Sequence, residues 1–244
     1  MIKLLQFEWR KLWRQKSLYI CFGFGLLIIL LTILSLKIYG ILEPACNMIY
    51  MILNSGFVAF LGIFVALFIC QDYNQQTIKN IYARGYSRSA VFFSKYLISL
   101  FVTVFMALVY LLFTFLCSVI LGSSVGSLAG WQWGVMALQF WTLIGFHAMF
   151  FGISMMIGKV GGSVALNLVG INFAFVILEL IFSVLEIDFK IQNFNLQNLF
   201  TALFDTIFYL EMPTKLLLRA IFLPLSYGVI FITAGWFVNY RREV

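Results

Sequence analysis

The sequence predicts an all-α membrane protein with six transmembrane helices, joined by shorter helices at both membrane surfaces. Of its 244 residues, 63% are hydrophobic and 10% are charged, whereas a soluble domain carries about 25% charged residues. The apolar runs are long and continuous, which favours spanning helices over the alternating strands of a barrel. The mean hydropathy of +1.03 agrees with this interpretation. We therefore expect one membrane domain and no soluble domain.

The six spans follow from the length of the apolar runs. A helix needs about 20 apolar residues to cross the bilayer core. The segments that satisfy this rule are residues 18–37, 49–70, 91–121, 134–157, 163–184 and 216–238. The first is expected to be an uncleaved span, because it is longer than a signal-peptide core and no small-residue cleavage site follows it. Residues 18–244 are thus predicted to form a single transmembrane domain.

Residues 1–17 are predicted to form a helix that lies in the headgroup region. Apolar positions that include Trp9 and Trp13 share one helical face. The other face carries the cations Lys3, Arg10, Lys11 and Arg14. Such a helix places its indoles at the membrane boundary and its cations toward anionic lipid. The predicted membrane-interface residues are Trp9, Arg10, Trp13 and Arg14.

The basic residues predict the orientation of the chain. Twelve of the 16 Lys and Arg residues fall on one side of the six-span topology. The positive-inside rule then places both termini and residues 71–90 in the cytoplasm. The net charge of +7 is explained by this topology. Nucleic acid is therefore not an expected partner.

Two apolar spans are separated by a polar segment, residues 71–90, with the sequence QDYNQQTIKNIYARGYSRSA. Residues 72–84 are predicted to form a short amphipathic helix, with Asp72, Lys79 and Asn80 on its polar arc. Gly85 is expected to end this helix, and Ser87 is expected to cap the third span. On the residues alone, a rigid surface helix and a simple interfacial turn both remain open.

A second amphipathic helix is predicted over residues 195–210, on the outer side before the last span. Its apolar stripe consists of Leu196, Leu199, Phe200, Leu203, Phe204 and Ile207. Pro213 follows it and provides a helix stop. We expect this helix to lie at the outer membrane surface. Pro224, inside the last span, is expected to kink that span because proline lacks a backbone donor.

Groups that could carry enzyme chemistry are scarce in the sequence. The single histidine, His147, is interpreted as a hydrogen-bonded packing residue within the fourth span. The segment GISMMIGKV, residues 152–160, does not match the phosphate-binding loop of nucleotide-binding proteins. It has one residue too many between Gly152 and Gly158 and lacks Ser or Thr after Lys159. The four cysteines are scattered and predict neither a disulfide framework nor a metal site. The chain is therefore not expected to be an enzyme.

Glu179, toward the outer end of the fifth span, allows two interpretations. A carboxylate at full membrane depth costs about 2.5–3.5 kcal/mol on insertion scales. The side chain can avoid that cost by reaching the outer interface or by pairing with Arg219. Alternatively, it contacts a substrate or cation inside a cavity.

Two segments resemble one known family. The run DYNQQTIKNIYARGYSR, residues 72–88, with Phe92, Phe93 and Lys95 after it, is similar to the first cytoplasmic loop of ABC type-2 exporter permeases. In that family an acidic residue ends the second span, and a Thr–hydrophobic–basic step, a Gly or Pro turn and a Ser-Arg pair follow. The N-terminal KLLQFEWRKLWRQK, residues 3–16, looks like the interfacial helix that opens these subunits.

The resemblance implies a six-helix permease in the bacterial cytoplasmic membrane, paired with a second, identical or homologous permease. A separate ATP-binding cassette subunit would bind ATP and Mg and would dock beneath the short cytoplasmic coupling helix. The chain itself would need no cofactor. The residues that match the coupling segment are Asp72, Thr77, Lys79, Asn80, Arg84, Gly85 and Arg88.

The resemblance also implies export, and subunits of this size resemble permeases for lantibiotic and bacitracin immunity. An amphiphilic antimicrobial peptide is the expected substrate, with Glu179, Phe200 and Phe204 as candidate substrate or gating residues. The alternatives are export of a lipid-linked glycan or a cation, or a membrane sensor or assembly protein without transport.

Overall fold

The computed structural model describes residues 2–40, 44–45, 57–75, 77–126, 130–185, 190–206 and 213–242. These residues form ten α-helices and no strand. The helices are α1 (Ile2–Arg14), α2 (Lys16–Ile38), α3 (Phe57–Asn74), α4 (Thr77–Ala83), α5 (Arg88–Ile120), α6 (Gly130–Ile157), α7 (Val160–Ala165), α8 (Ile171–Val184), α9 (Leu196–Thr206) and α10 (Thr214–Arg241). The predicted all-α membrane class is confirmed.

The candidate spans follow the predicted apolar runs. Five described helices, α2, α3, α5, α6 and α10, are long and apolar enough to cross a membrane. A sixth span results if α7 and α8 are counted as one broken helix. For the predicted span 49–70, residues 49–56 lie outside the described residues.

The predicted continuous helix over residues 163–184 is wrong in one respect, because α7 and α8 are separated by a π-helical turn. The segments Val160–Val169 and Phe173–Val184 are bent by 51° relative to each other. Asn167 lies in the turn, and its side-chain amide donates to the carbonyl oxygen of Gly62 at 3.0 Å and to Ser154 Oγ at 3.3 Å. These bonds hold the break against α3 and α6.

The closest helix packing joins α6 to α10. A Cβ added at Gly152 would lie 2.3 Å from the carbonyl oxygen of Phe231, and one added at Gly145 would lie 2.7 Å from Pro224 Cβ. Glycine is therefore the residue that lets the two backbones approach, as small residues do in membrane helix pairs. Gly145 and Gly152 are therefore contact positions between the two helices.

Helix α1 and the end of α10, the first and last described helices, lie at the same end of the bundle, which we call the terminal end. Lys11 of α1 is ion-paired with Asp72 at the end of α3. Arg88, at the start of α5, donates to the carbonyl oxygen of Arg242 at 2.6 Å. The start of α1, the short helix α4 and the end of α10 therefore meet where α3 ends and α5 begins.

Helix α9 packs on the protein, whereas the sequence predicts that it lies at the membrane surface. Leu199, Phe200 and Leu203 are buried, and the rings of Phe200 and Phe146 meet edge to face at 6.1 Å. The apolar stripe is broad enough to bury against α6 and α10, so protein contacts cover the face that was expected to meet lipid. Residues 207–210 of the predicted helix lie outside the described residues.

We expect Gly152→Ala to destabilise the protein. The added methyl group meets the backbone of α10, and overpacking of this kind costs about 1–3 kcal/mol. Gly161→Ala is the matched control, because nothing lies within 4 Å of the Cβ position there. Thermal unfolding in detergent measures both variants. Equal midpoints for the two would contradict the close contact between α6 and α10.

Candidate functional site

A cluster of four charged side chains lies at the terminal end, and three helices contribute to it. Glu8 and Lys11 come from α1, Asp72 from α3 and Lys95 from α5. Lys95 Nζ is ion-paired with Asp72 and lies 3.1 Å from Glu8 Oε1. Lys11 Nζ is ion-paired with Asp72 and lies 4.0 Å from Glu8 Oε2. We call these four residues the charge cluster.

The charge cluster is almost completely removed from solvent. Glu8, Asp72 and Lys95 have side-chain exposures of 0%, 1% and 0%, and Lys11 is 20% exposed. Two positive and two negative groups balance one another, which makes the burial of each group tolerable. Burial and repulsion from Lys95 lower the pKa of Lys11, while Asp72 and Glu8 act in the opposite direction. The cluster therefore connects α1, α3 and α5, and removal of one partner leaves a buried charge poorly compensated.

The ring of Phe68 adds a further contact to the two cations. Lys95 Nζ lies 5.5 Å and Lys11 Nζ lies 5.8 Å from its centroid. The face of an aromatic ring attracts a cation, and more strongly where water is absent. Phe68 is itself fully buried, so it fills the apolar side of the charge cluster.

The short helix α4 is attached directly to the charge cluster. Thr77, its first residue, donates from Oγ1 to Asp72 Oδ1 at 2.9 Å. Ile78 and Ile81 are buried and anchor the apolar side of the helix. Lys79 and Asn80 are exposed on the other side. Helix α4 thus has one face fixed to the bundle and one face free for contact.

A cleft between α1 and α4 leads from the surface toward the charge cluster. Its volume is about 190 Å³, and Phe7, Lys11, Asp72, Asn80 and Arg84 are among the residues that line it. The arrangement suits a protruding side chain from another protein, because its floor is charged and its rim is polar.

The structure places Asp72 differently from the sequence expectation. The sequence assigns Asp72 to the exposed arc at the start of the short helix, where it would stabilise the positive end of the helix dipole. Instead, Asp72 lies in the last turn of α3 and is buried, and α4 begins five residues later at Thr77. The attraction of Lys11 and Lys95 explains why the carboxylate turns inward. The acidic residue at the end of the second span agrees with the family pattern.

The turn after α4 has the predicted backbone. Gly85 has a φ of +83°, which costs a residue with a Cβ about 1–2 kcal/mol. Ser87 caps α5, accepting at Oγ from the backbone N–H of Ala90 at 3.3 Å.

Arg88 contacts the last span. Its Nη1 donates to the carbonyl oxygens of Tyr240 at 2.7 Å and of Arg242 at 2.6 Å. These carbonyls lie at the end of α10, where a helix leaves its acceptors without partners. Arg88 therefore links the start of α5 to the end of α10 within the chain.

Two further side chains strengthen the same junction. Tyr73 donates its hydroxyl to Asn239 Oδ1 at 2.6 Å. Arg242 donates to the carbonyl oxygen of Met156 at 2.5 Å, and its guanidinium lies over the Tyr73 ring at 4.9 Å. The ends of α3, α6 and α10 are thereby joined beside the charge cluster.

The four predicted membrane-interface residues lie along α1 outside the charge cluster. Arg10, Trp13 and Arg14 are exposed, and Trp9 is half-buried. The Trp9 ring meets the rings of Phe101 and Trp13 edge to face at 5.3 Å and 5.7 Å.

One cation of α1 departs from the sequence prediction. Lys11, expected to face lipid, turns toward the protein and is ion-paired with Asp72. Two acidic side chains on the protein side attract it, whereas Lys3, Arg10 and Arg14 remain exposed.

The candidate substrate residues lie away from the terminal end. Glu179 is exposed and accepts a hydrogen bond from Gln192 Nε2, while its expected partner Arg219 donates instead to the carbonyl oxygen of Asn193 at 2.6 Å. Phe200 is completely buried and Phe204 is half-buried. A substitution at Phe200 would therefore disturb packing before any substrate contact.

His147 has the environment of a packing residue. It is fully buried in α6, and its ring nitrogens lie 3.0 Å from Thr103 Oγ1 and 3.3 Å from Ser99 Oγ on α5. Among the described residues, no group of three or more His, Cys, Asp or Glu side chains could hold a metal ion.

The sequence did not lead us to predict Glu8 as a site residue or Lys95 as a buried one. Glu8 is the only acidic residue in the first 42 positions, and it shares a helical face with the buried Leu4 and Leu12. An acidic residue on the apolar side of a basic helix is a signal for a buried cation. Lys95, seven residues into an apolar helix, is that cation.

Comparison with known proteins gives one match. A family model described as "ABC-2 family transporter protein" matches residues 4–179. This range contains the charge cluster, α4, the first four spans and most of the fifth. No curated protein and no solved structure matches the chain.

We expect Lys95→Met to cost about 3–5 kcal/mol of stability, because it leaves the buried Glu8 with only the more distant Lys11 as a counter-ion. The double variant Lys95→Met/Glu8→Gln removes both charges and should be more stable than Lys95→Met alone. Exposed Lys79→Met is the control and should change stability by less than about 0.5 kcal/mol. Chemical unfolding in detergent gives the free energies of the unchanged protein, Lys95→Met, Glu8→Gln, the double variant and Lys79→Met. A double variant as unstable as the sum of its single variants would show that the two charges do not interact.

Proposed function

The chain belongs to the ABC-2 family of transporter proteins and is a membrane permease of an ABC transporter; from that premise, we propose that it exports an amphiphilic peptide with energy supplied by a separate ATP-binding subunit. The attachment of α4 to the charge cluster carries this proposal. A helix that receives force from a partner must be rigidly connected to the spans that move. Thr77, Asp72 and Lys95 provide such a connection from α4 to α3 and α5.

The contact face for the ATP-binding subunit is the exposed side of α4 with the adjoining cleft. Lys79, Asn80 and Arg84 are exposed there, while Ile78 and Ile81 hold the opposite side in the bundle. The cationic face favours an acidic surface on the partner. Asp72, Thr77, Gly85 and Arg88 act from behind that face, by holding the helix and its turn in place.

The terminal end is assigned to the cytoplasm. The basic residues concentrate in α1, in residues 79–95 and at the end of α10, as the positive-inside rule requires of a protein in the bacterial cytoplasmic membrane. The ATP-binding subunit, which holds ATP and Mg, then meets α4 on the side where ATP is present. A second permease, identical or homologous, completes the transporter.

An apolar cavity toward the other end of the bundle supports an amphiphilic substrate. Its volume is about 570 Å³, and Leu178, Phe194, Tyr227 and Phe231 contribute to its walls. Ligand sites of about 300–1,000 Å³ with mostly apolar walls are typical of proteins that bind small organic molecules. Glu179, the residue after Leu178 in α8, is not a wall residue, and its carboxylate accepts a hydrogen bond from Gln192 Nε2. The cavity itself therefore suits the apolar part of an amphiphilic substrate.

We expect Lys79→Glu and Gly85→Val to abolish ATP-driven export while the protein still reaches the membrane. The first reverses the charge of the contact face, and the second strains the turn that fixes α4. Gly122→Val is the control for Gly85→Val, because both glycines have positive φ and open space around them. Lys159→Glu, at an exposed lysine in another loop, is the control for Lys79→Glu.

Co-purification of the ATP-binding subunit and peptide efflux from vesicles measure the effect. Both controls should retain partner binding and export. Normal binding and export in Lys79→Glu and Gly85→Val would contradict a coupling role for α4.

The topology gives a separate prediction. In a cysteine-free background, Lys190→Cys should react with a membrane-impermeant thiol reagent added outside intact cells, and Lys79→Cys should react only after permeabilisation. Both lysines are exposed side chains, so burial does not mask the result. The reverse labelling would place the terminal end outside the cell.

A further inference from the structure

A second apolar cavity lies between α1, α2 and α5 and plays no part in the proposed transport path. Its volume is about 360 Å³, and it is lined only by apolar and aromatic residues, including Trp9, Trp13, Leu18, Val102 and Met106. The hydroxyl of Tyr19, another wall residue, is turned away to donate to the carbonyl oxygen of Trp13 at 3.0 Å. The wall surface that faces the cavity is apolar, so the cavity suits a hydrocarbon chain.

The rim of this cavity carries positive charge. On α1, Arg10 and Arg14 lie four residues apart, and Lys3 precedes Arg10 by seven residues, so all three share one arc of the helix. Trp13 lies between that arc and Trp9 on the circumference. All three cations are exposed, and the acidic residue of this helix, Glu8, lies on the opposite, buried side.

Apolar walls beside a cationic rim match one class of molecule. An anionic phospholipid has a hydrocarbon chain and a phosphate joined within a short distance. Lys and Arg side chains near the membrane surface attract anionic headgroups. Trp9 and Trp13 lie at the boundary between the two regions, where indole rings are favoured.

We propose that this cavity is a specific binding site for an anionic phospholipid, with one acyl chain between α1, α2 and α5 and the phosphate at Arg10 and Arg14. The lipid comes from the leaflet in which α1 lies. This goes beyond general contact of α1 with the membrane, because it requires one chain inside the protein and a site that saturates.

The site also adjoins the charge cluster. Leu12 lines the cavity, and the residue before it, Lys11, is ion-paired with Asp72. A bound chain thus supports α1 from one side while the charge cluster holds it from the other. Loss of the lipid would loosen the helix that supplies two of the four charges.

The test uses phosphatidylglycerol with a photoreactive diazirine on its acyl chain, added to the full-length protein in nanodiscs. Mass spectrometry should find labelling at Phe101, Val102, Phe105 and Met106 that an excess of unlabelled phosphatidylglycerol removes. Leu112 and Leu116, exposed on the same helix, are the internal control, since their contact with surrounding lipid should not saturate. Labelling that is equal and unsaturable at both sets of positions would overturn the proposal.

Charge selectivity is tested by native mass spectrometry in detergent. Phosphatidylglycerol should bind about tenfold or more tightly than phosphatidylcholine with the same chains, and Arg10→Gln/Arg14→Gln should remove that difference. The control variant Lys37→Gln/Lys190→Gln loses the same charge at exposed positions away from the cavity. It should retain the difference in affinity between the two lipids. Equal affinity for the two lipids in the unchanged protein would also overturn the proposal.

Val102→Phe should reduce binding of both lipids by filling the cavity. The unmodified protein used for photolabelling keeps the proposal testable if this variant does not fold. Displacement of the photoreactive lipid by an amphiphilic cationic peptide, and not by phosphatidylglycerol, would assign the cavity to transported substrate and reject the lipid site. None of these outcomes depends on ATP-driven export, so failure here is distinct from failure of the proposed function.

Discussion

The pairing of Lys95 with Asp72 and Glu8 is the constraint on which the terminal end of the molecule depends. An ammonium group at this depth is tolerated only with carboxylates beside it. The carboxylates come from different helices, so satisfying one lysine fixes the positions of α1 and α3 on α5. Helix α4 then obtains its position through Thr77. Replacing the cluster with apolar residues could preserve stability, but it would remove the directional bonds that set the angle of α4.

The rigid connection continues from α3 through α6 to α10. Helix α3 packs against α6, and α6 packs against α10 through Gly145 and Gly152. Arg88 and Tyr73 join the same helices again at their ends. Helices α3, α6 and α10 can therefore move as one body. The exposed apolar surfaces of α2 and α8 lie outside that body, where lipid or a second permease would cover them.

The sequence predicted the helical class, the span positions and the turn at Gly85, because apolar length and glycine conformation are local properties. It did not predict the buried position of Asp72 or the inward turn of Lys11. Those depend on Glu8 and Lys95, which lie far apart in the chain and meet only after folding. Similarly, the amphipathic pattern of α9 indicated an apolar face but could not say whether lipid or α6 covers it. The π-helical turn before α8 contains Asn167, whose bond to Gly62 joins residues far apart in the chain and is not revealed by a local pattern.

The hydrogen bonds at the end of α10 have a consequence for biosynthesis. Arg88 bonds to the carbonyl oxygen of Tyr240, a residue 152 positions later in the chain. Translation and membrane insertion proceed from the N-terminus, so Arg88, Tyr73 and the carbonyl of Met156 lack these partners until the end of α10 has been synthesised. A truncated chain without its last span would display these polar groups together at one end of the bundle. Membrane proteases and chaperones could recognise that display, so the same contacts that join the finished helices would mark an incomplete product for removal.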